Sequence, residues 1–181
     1  MDIRDSYDSA AEAYAQHLAS ELKHKPLDRH LLNRFAEDTR GRGMVADVGC
    51  GPGHVARYLH DQGVTIFGVD LSPAMIRCAA RLNPGLDFRV GDMRTLELPA
   101  SSLAGIVAFY SIVHFEPGDL RVIMREMRRV LASDGLALVS FHVGNELVHV
   151  DELFGAPVNL DFRFHDPADV VAALRAAPFS V

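Results

Sequence analysis

Apolar and polar residues alternate along this chain with two different periods. From about Asp5 to Leu22 the sequence is alanine-rich and free of Gly and Pro, which predicts a helix, and Lys25-Pro26 interrupts it. Leu27, Leu31, Leu32 and Phe35 then share one face of a second helix, which the breaker Gly41-Arg42-Gly43 ends. Met44 to Val48 is almost wholly apolar and predicts a strand buried on both faces, closed by a glycine-rich turn. His54 to Gln62 reads as a helix capped by Gly63, and Val64 to Val69 as a second strand ending at Asp70. Ser72 followed by Pro73 is an N-cap with proline in the first turn, opening a helix that Asn83-Pro84-Gly85 stops. Leu86 to Val90 and Ala104 to Tyr110 supply a third and a fourth strand. Between Asp119 and Ala132, Leu120, Ile123, Met124, Met127, Val130 and Leu131 form one apolar stripe opposite Arg121, Arg125, Glu126, Arg128 and Arg129. An Asp134-Gly135 turn leads into a fifth strand, Leu136 to Val143, and Asp166-Pro167 opens a last helix reaching Ala176.

Strand and helix alternating from Met44 to Val143 predict parallel pairing through right-handed crossovers, hence an α/β fold: a Rossmann-like, open, mainly parallel sheet with helices on both faces. The expected organisation is one domain over residues 1–181, with an N-terminal helical cap (1–40), a ligand-binding core (41–145), and an insertion plus last helix (146–181). Ligands of such sheets sit at the carboxyl ends of the strands. That rule gathers the turn after the first strand, Asp70, Asp92 and the segment Tyr110 to His114 into one cleft.

The 181 residues, 49% hydrophobic and 23% charged, are enough for a packed core and exclude a disordered or coiled-coil chain. With 18 Lys+Arg against 24 Asp+Glu, the net charge of −6 offers no global attraction to nucleic acid or anionic lipid, so small molecules become the favoured partners. The four arginines opposite the apolar stripe read as a solvated helix face rather than a nucleic-acid patch. Cys50 and Cys78 match no metal or disulfide spacing, the N-terminus has no signal-peptide pattern, and the stretch Leu98 to Phe115 lacks charge but is too polar to span a membrane. A cytoplasmic protein with reduced thiols and no metal is the expectation.

The turn reads Asp47-Val48-Gly49-Cys50-Gly51-Pro52-Gly53, with glycine at every second position and His54 where a dinucleotide fingerprint would have its third glycine. Backbone is exposed to a ligand that need not carry a pyrophosphate. This loop, with Val69-Asp70-Leu71-Ser72-Pro73-Ala74-Met75, Gly91-Asp92-Met93, Phe109 to Phe115, and Arg128-Arg129-Val130-Leu131 before Gly135, resembles the class I S-adenosylmethionine-dependent methyltransferases, and within them a small-molecule, quinone-biosynthesis-like branch. The resemblance runs from about Tyr7 to Val181.

It implies a set of roles. Gly49, Cys50, Gly51 and Gly53 would let the main chain approach the methionyl and ribose parts of S-adenosylmethionine, or of its product S-adenosylhomocysteine. Asp47 would support the loop and the cationic amino group, and Asp70 would accept both ribose hydroxyls. Leu71 would pack on the adenine face, Met75 of the same motif would belong to the cofactor-binding set, Asp92 would accept from the adenine amino group, and the Met93 amide would reach a ring nitrogen. Tyr110 and Ser111 belong to the matched fourth-strand segment, and Tyr7 and Tyr14 to a helix folded over the cofactor. His114 is the candidate catalytic base. His142, His149 and His165 lie where acceptor pockets form, so residues 146–181 would face a small-molecule methyl acceptor.

The chain ends where the family's sixth strand would begin, with Pro178 in place of a usual glycine. The family's C-terminal strand pair is therefore expected to be incomplete, leaving the fifth strand with an edge that further chain or a second subunit of a homodimer would cover. Two rival functions remain open: a non-catalytic S-adenosylmethionine-binding or regulatory module, and an NAD(P)-dependent oxidoreductase, which the glycine spacing disfavours.

Overall fold

A computed structural model describes residues 1–181. Five strands, β1 (Val45–Val48), β2 (Ile66–Asp70), β3 (Asp87–Val90), β4 (Leu103–Phe109) and β5 (Leu131–Ser140), form one sheet in the order β3-β2-β1-β4-β5 with every neighbour parallel. The order reverses between β1 and β4, and that switch point opens the crevice in which this class of sheet binds ligands.

Six helices cover the sheet: α1 (Ile3–Leu18), α2 (Pro26–Thr39), α3 (His54–His60), α4 (Pro73–Leu82), α5 (Pro117–Val130) and α6 (Pro167–Ala176). The period of two along each strand sorts its side chains between two cores. Ala46, Val48, Phe67, Val69, Ile106 and Ala108 meet Leu120, Ile123, Met124 and Met127 of α5 and Val170 and Ala173 of α6. On the other face Val45, Ile66 and Val107 meet Leu32 and Phe35 of α2 and Val55 and Leu59 of α3. The α5 arginines opposite its stripe are solvated or paired locally, as the helical pattern predicts: Arg129 to Glu126 at 2.7 Å, with Arg121 and Arg125 exposed.

Three boundaries differ from the sequence reading, each because tertiary packing overrides local pattern. Helix α1 stops at Leu18, and a short 3-10 turn (Glu21–His24) follows, because Leu22 is buried in the α2/α3 core and the chain must bend to put it there. Helix α5 stops at Val130, since Leu131 already pairs with Leu103 in the sheet. Asp134-Gly135 lies inside β5 at an irregularity of its ladder with β4, between the pairs Leu103/Leu131 and Gly105/Leu136, and the strand ends at Ser140.

The larger difference is an antiparallel hairpin, β6 (Leu147–Leu153) and β7 (Ala156–Arg163), within the segment expected to be an insertion. It forms a separate two-stranded sheet ahead of α6. Val158 and Leu160 pack on Ala10 of α1, and the Ser6 hydroxyl accepts from the Asn159 N–H at 3.0 Å, so α1 and the hairpin are one cover over the carboxyl ends of the strands. Replacing Ile123, fully buried in α5, by alanine should cost about 2–5 kcal/mol of stability. Arg121→Ala on the solvent side should stay within about 0.5 kcal/mol. Urea melts of the two variants check the assignment of the two faces.

Candidate functional site

The loop after β1 is held in shape by three alternating left-handed residues, Gly49, Gly51 and Gly53, at φ +74°, +51° and +79°. Gly49 also sits where a side chain would enter the space of Ser111 Cβ, so only glycine lets the loop lie on the end of β4. Its N–H and that of Cys50 donate to the Val69 carbonyl at 2.7 and 3.0 Å, which anchors the loop to β2.

Asp70, at the end of β2, accepts from the Gly51 N–H at 2.8 Å and from the Ser72 N–H at 2.9 Å, one on each carboxylate oxygen. Burial pushes its pKa up, opposed by these two amides. The Ser72 hydroxyl caps α4 by accepting from Met75 N–H at 3.0 Å and donates to Asp8 of α1 at 2.5 Å. At the end of β3, Asp92 is gripped by Arg94 through Nε and Nη2, at 3.0 and 2.5 Å, which holds its carboxyl below the usual range.

Over these ends lies a cavity of about 210 Å³. Of the residues singled out in the sequence, Tyr14, Gly49, Cys50, Gly51, Asp70, Leu71, Met75, Asp92, Met93, Tyr110, Ser111 and His114 line it, as does Tyr7. Asp47 and Gly53 do not. Asp47 alternates on β1 to the α3 side and lies buried beneath the loop. Gly53 caps α3, and a Cβ there would come within 2.6 Å of Phe88, so it serves packing of the loop rather than contact with the cavity. A shallower groove of about 530 Å³ shares Ile3, Leu71, Asp92, Arg94 and His114 with the cavity, making one continuous cleft.

His114 is tied at both ring nitrogens. Nδ1 lies 2.8 Å from the Asp161 carbonyl, which only accepts, so Nδ1 carries the proton; Nε2 then accepts from the Tyr7 hydroxyl at 2.7 Å. Burial lowers the His114 pKa and raises that of Tyr7 well above its ordinary value, so both are neutral near pH 7. Tyr110 holds a left-handed backbone at φ +52°, with its N–H on the Ser140 carbonyl and its ring against Phe109 and His142. Such strain in a non-glycine residue is concentrated where a site must aim a side chain. Of the other histidines, His142 lies tilted against Tyr110, His149 is exposed between Asp151 and Asp161, and His165 is buried on the Ile112 carbonyl.

The family described as Methyltransferase domain matches residues 45–135, the span from β1 into β5. An uncharacterized methyltransferase, YcgJ of Bacillus subtilis, is 32% identical over 148 residues, 79% of this chain and 56% of that protein. A malonyl-[acyl-carrier protein] O-methyltransferase of Pseudescherichia vulneris is 26% identical over 163 residues, 90% of this chain and 61% of that protein. The crystal structure of the PH0226 protein of Pyrococcus horikoshii superposes with a TM-score of 0.72 at 24% identity, covering 96% of this chain and 89% of that one, and shares the fold. The chain belongs to the class I S-adenosylmethionine-dependent methyltransferases. It spans between 42% and 61% of the length of the first three curated relatives it matches. No helix is long and apolar enough to cross a membrane.

Family membership implies S-adenosylmethionine as the cofactor of this methyltransferase cleft, and the residues present fit it. Asp70, Asp92 and Asp119 face the cavity with Arg94, already paired, as the cation beside them, which suits a cationic ligand. Sequence reasoning missed several wall residues. Ile3, Leu18 and Asp119 carry no motif, and Glu21, which reaches the cavity residue His54 at 3.2 Å, stands 33 positions from it in the sequence.

Burial pushes the Asp47 carboxyl up to about 8, with the Ala56 amide opposing and Asp70 adding to the rise, and its Oδ2 has no partner. The unfolded chain ionises this group near pH 4, so stability falls as pH rises from there to about 8, by about 1.4 kcal/mol per unit. Asp47→Asn should flatten that slope in urea melts compared at about pH 5 and pH 8. An unchanged slope would show that Asp47 keeps an ordinary pKa.

Proposed function

We propose that this chain transfers a methyl group from S-adenosylmethionine to a small-molecule acceptor by in-line displacement. The observation that carries the reading is the half-buried Asp70 carboxylate, fixed by two main-chain amides at the end of β2 beside the glycine loop and turned to the cavity. Each oxygen of an ionised carboxylate has a second lone-pair direction, enough to accept two vicinal ribose hydroxyls. Leu71, Met93 and Phe115 offer apolar faces on the side of Asp92, where a purine with its amino group toward that carboxylate fits. Bound S-adenosylmethionine supplies a methyl already activated by its positive sulfur.

What the chain then has to do is align and dehydrate. Alignment of donor and nucleophile accounts for roughly 7–11 kcal/mol of barrier reduction in well-oriented systems. Here it falls to the glycine loop, Tyr14 and Tyr110 on one side and to the α1/hairpin cover on the other. His114 is the base for an acceptor that holds a proton, acting at Nε2 once Tyr7 yields its hydrogen bond, and its Nδ1–H on the Asp161 carbonyl steadies the imidazolium that forms. The relative named for malonyl-[acyl-carrier protein] methylates an oxygen, and its likeness over most of this chain supports a small acyl or similar acceptor group.

Calorimetric titration with S-adenosylhomocysteine is expected to give micromolar binding, with none for NADH. Asp70→Ala should weaken it by about 100-fold, the loss of two hydrogen bonds to a charged group. Equal binding by that variant, or no binding by the wild type, would overturn the reading. With an acceptor found by screening for methyl transfer, His114→Ala should lower kcat by about 100-fold or more if the acceptor is a hydroxyl or amine. A chain that binds the cofactor and methylates nothing would instead be a binding module.

A further inference from the structure

The turn of the β6/β7 hairpin holds a residue that its backbone disfavours. Leu153 pairs with Ala156, so Phe154 and Gly155 form a two-residue loop, with φ at +54° and +83°. A loop with both central residues left-handed favours Asn-Gly, because a bulky side chain on Cβ is crowded there. Gly155 suits its place and Phe154 does not, and strain of this kind persists where a site needs the side chain. Core packing does not account for the ring: it is 40% exposed and belongs to none of the buried clusters.

What the ring does touch is α1. It stacks on the exposed His17, with 3.9 Å between centroids and 18° between planes, and leans on Tyr14 at 5.8 Å and 57°. Tyr14 in turn lines the cavity, stands edge-on to Tyr7, and lies over the glycine loop, where a Cβ on Gly51 would come 3.7 Å from its ring. At the other end of the hairpin, Phe162 tilts against His114 at 5.0 Å. Phe154, Tyr14, Tyr7, His114 and Phe162 thus form an unbroken run of aromatic contacts from the hairpin turn across the cavity and back to β7. His17 backs Phe154 from the solvent side, and Tyr14 is where the Phe154 ring makes itself felt in the cavity.

We propose that Phe154 is a positioning residue: its ring, held on a strained turn and backed by His17, seats Tyr14 against the glycine loop and so sets how tightly the cavity holds its cofactor. This rests on the proposed function, and its test is built to fail separately. S-adenosylhomocysteine is titrated calorimetrically into wild type and variants, and each protein is melted in urea. Phe154→Asn relieves the turn and removes the ring. It should hold or raise the urea midpoint while weakening S-adenosylhomocysteine about threefold to tenfold, the range of a lost aromatic contact. Phe154→Tyr, which keeps both ring and strain, should bind as the wild type does. Placed in a Tyr14→Ala background, Phe154→Asn should weaken binding no further, because its effect runs through the Tyr14 ring.

Equal binding by Phe154→Asn and the wild type, or a loss that persists in the Tyr14→Ala background, would overturn the proposal while leaving the cofactor reading intact. A fall in stability shared by Phe154→Asn and Phe154→Gly, both at ease in the turn, would make the ring a packing residue and overturn the proposal as well. A wild type that binds no S-adenosylhomocysteine would overturn the cofactor reading and this inference with it.

Discussion

The carboxylate of Asp70 is the joint on which the cleft depends. It closes the gap between the loop after β1 and the turn into α4 by taking one N–H from each, and through Ser72 the same chain of hydrogen bonds continues to Asp8 on α1. A half-buried carboxylate is stabilised by such partners, because its ionised form has lost part of its water. Strand, loop, helix cap and cover therefore share one hydrogen-bond network, and the orientation of the cavity walls follows from it.

The cover is a second consequence of placement. Helix α1 is alanine-rich, so its backbone lies close to α4 and the hairpin, with Ala11 and Ala15 against Met75 and Cys78 and Ala10 against Val158 and Leu160. It carries Tyr7 and Tyr14 inward, edge to face at 5.8 Å. Tyr7 then meets His114, which β7 holds from the far side through the Asp161 carbonyl. A neutral imidazole between a phenol and a carbonyl is a weak base at rest and a better one when the phenol turns away. The geometry thus ties the basicity of His114 to the Tyr7 hydroxyl that the cover carries.

Much of this was legible in the sequence where the signals are local. The apolar run Val45–Val48 ahead of alternating glycines, the Ser72-Pro73 helix start and the stripe on α5 each fix an element by its own residues, and the open-sheet rule then places Asp70, Asp92 and His114 in one cleft. The hairpin was hidden because its signals conflict. Leu147 and Val148 are both exposed, so the alternation is broken, and the turn at Phe154-Gly155 puts φ at +54° and +83°, a conformation that Asn or Gly announces and phenylalanine conceals. For Asp47 the motif alone does not give the direction of the side chain: the period of two sends it under α3, and it is buried without lining the cavity. Glu21 is beyond any local pattern, since only the bend that buries Leu22 brings it to His54.

A crystal structure of the chain with S-adenosylhomocysteine tests the central claim most directly. The account predicts the ribose hydroxyls on the Asp70 carboxylate, the purine on the Leu71 and Phe115 side beside Asp92, and α1 closed over the ligand with Ser72 still bonded to Asp8. A ligand seated elsewhere, or a ribose that leaves Asp70 untouched, would contradict it.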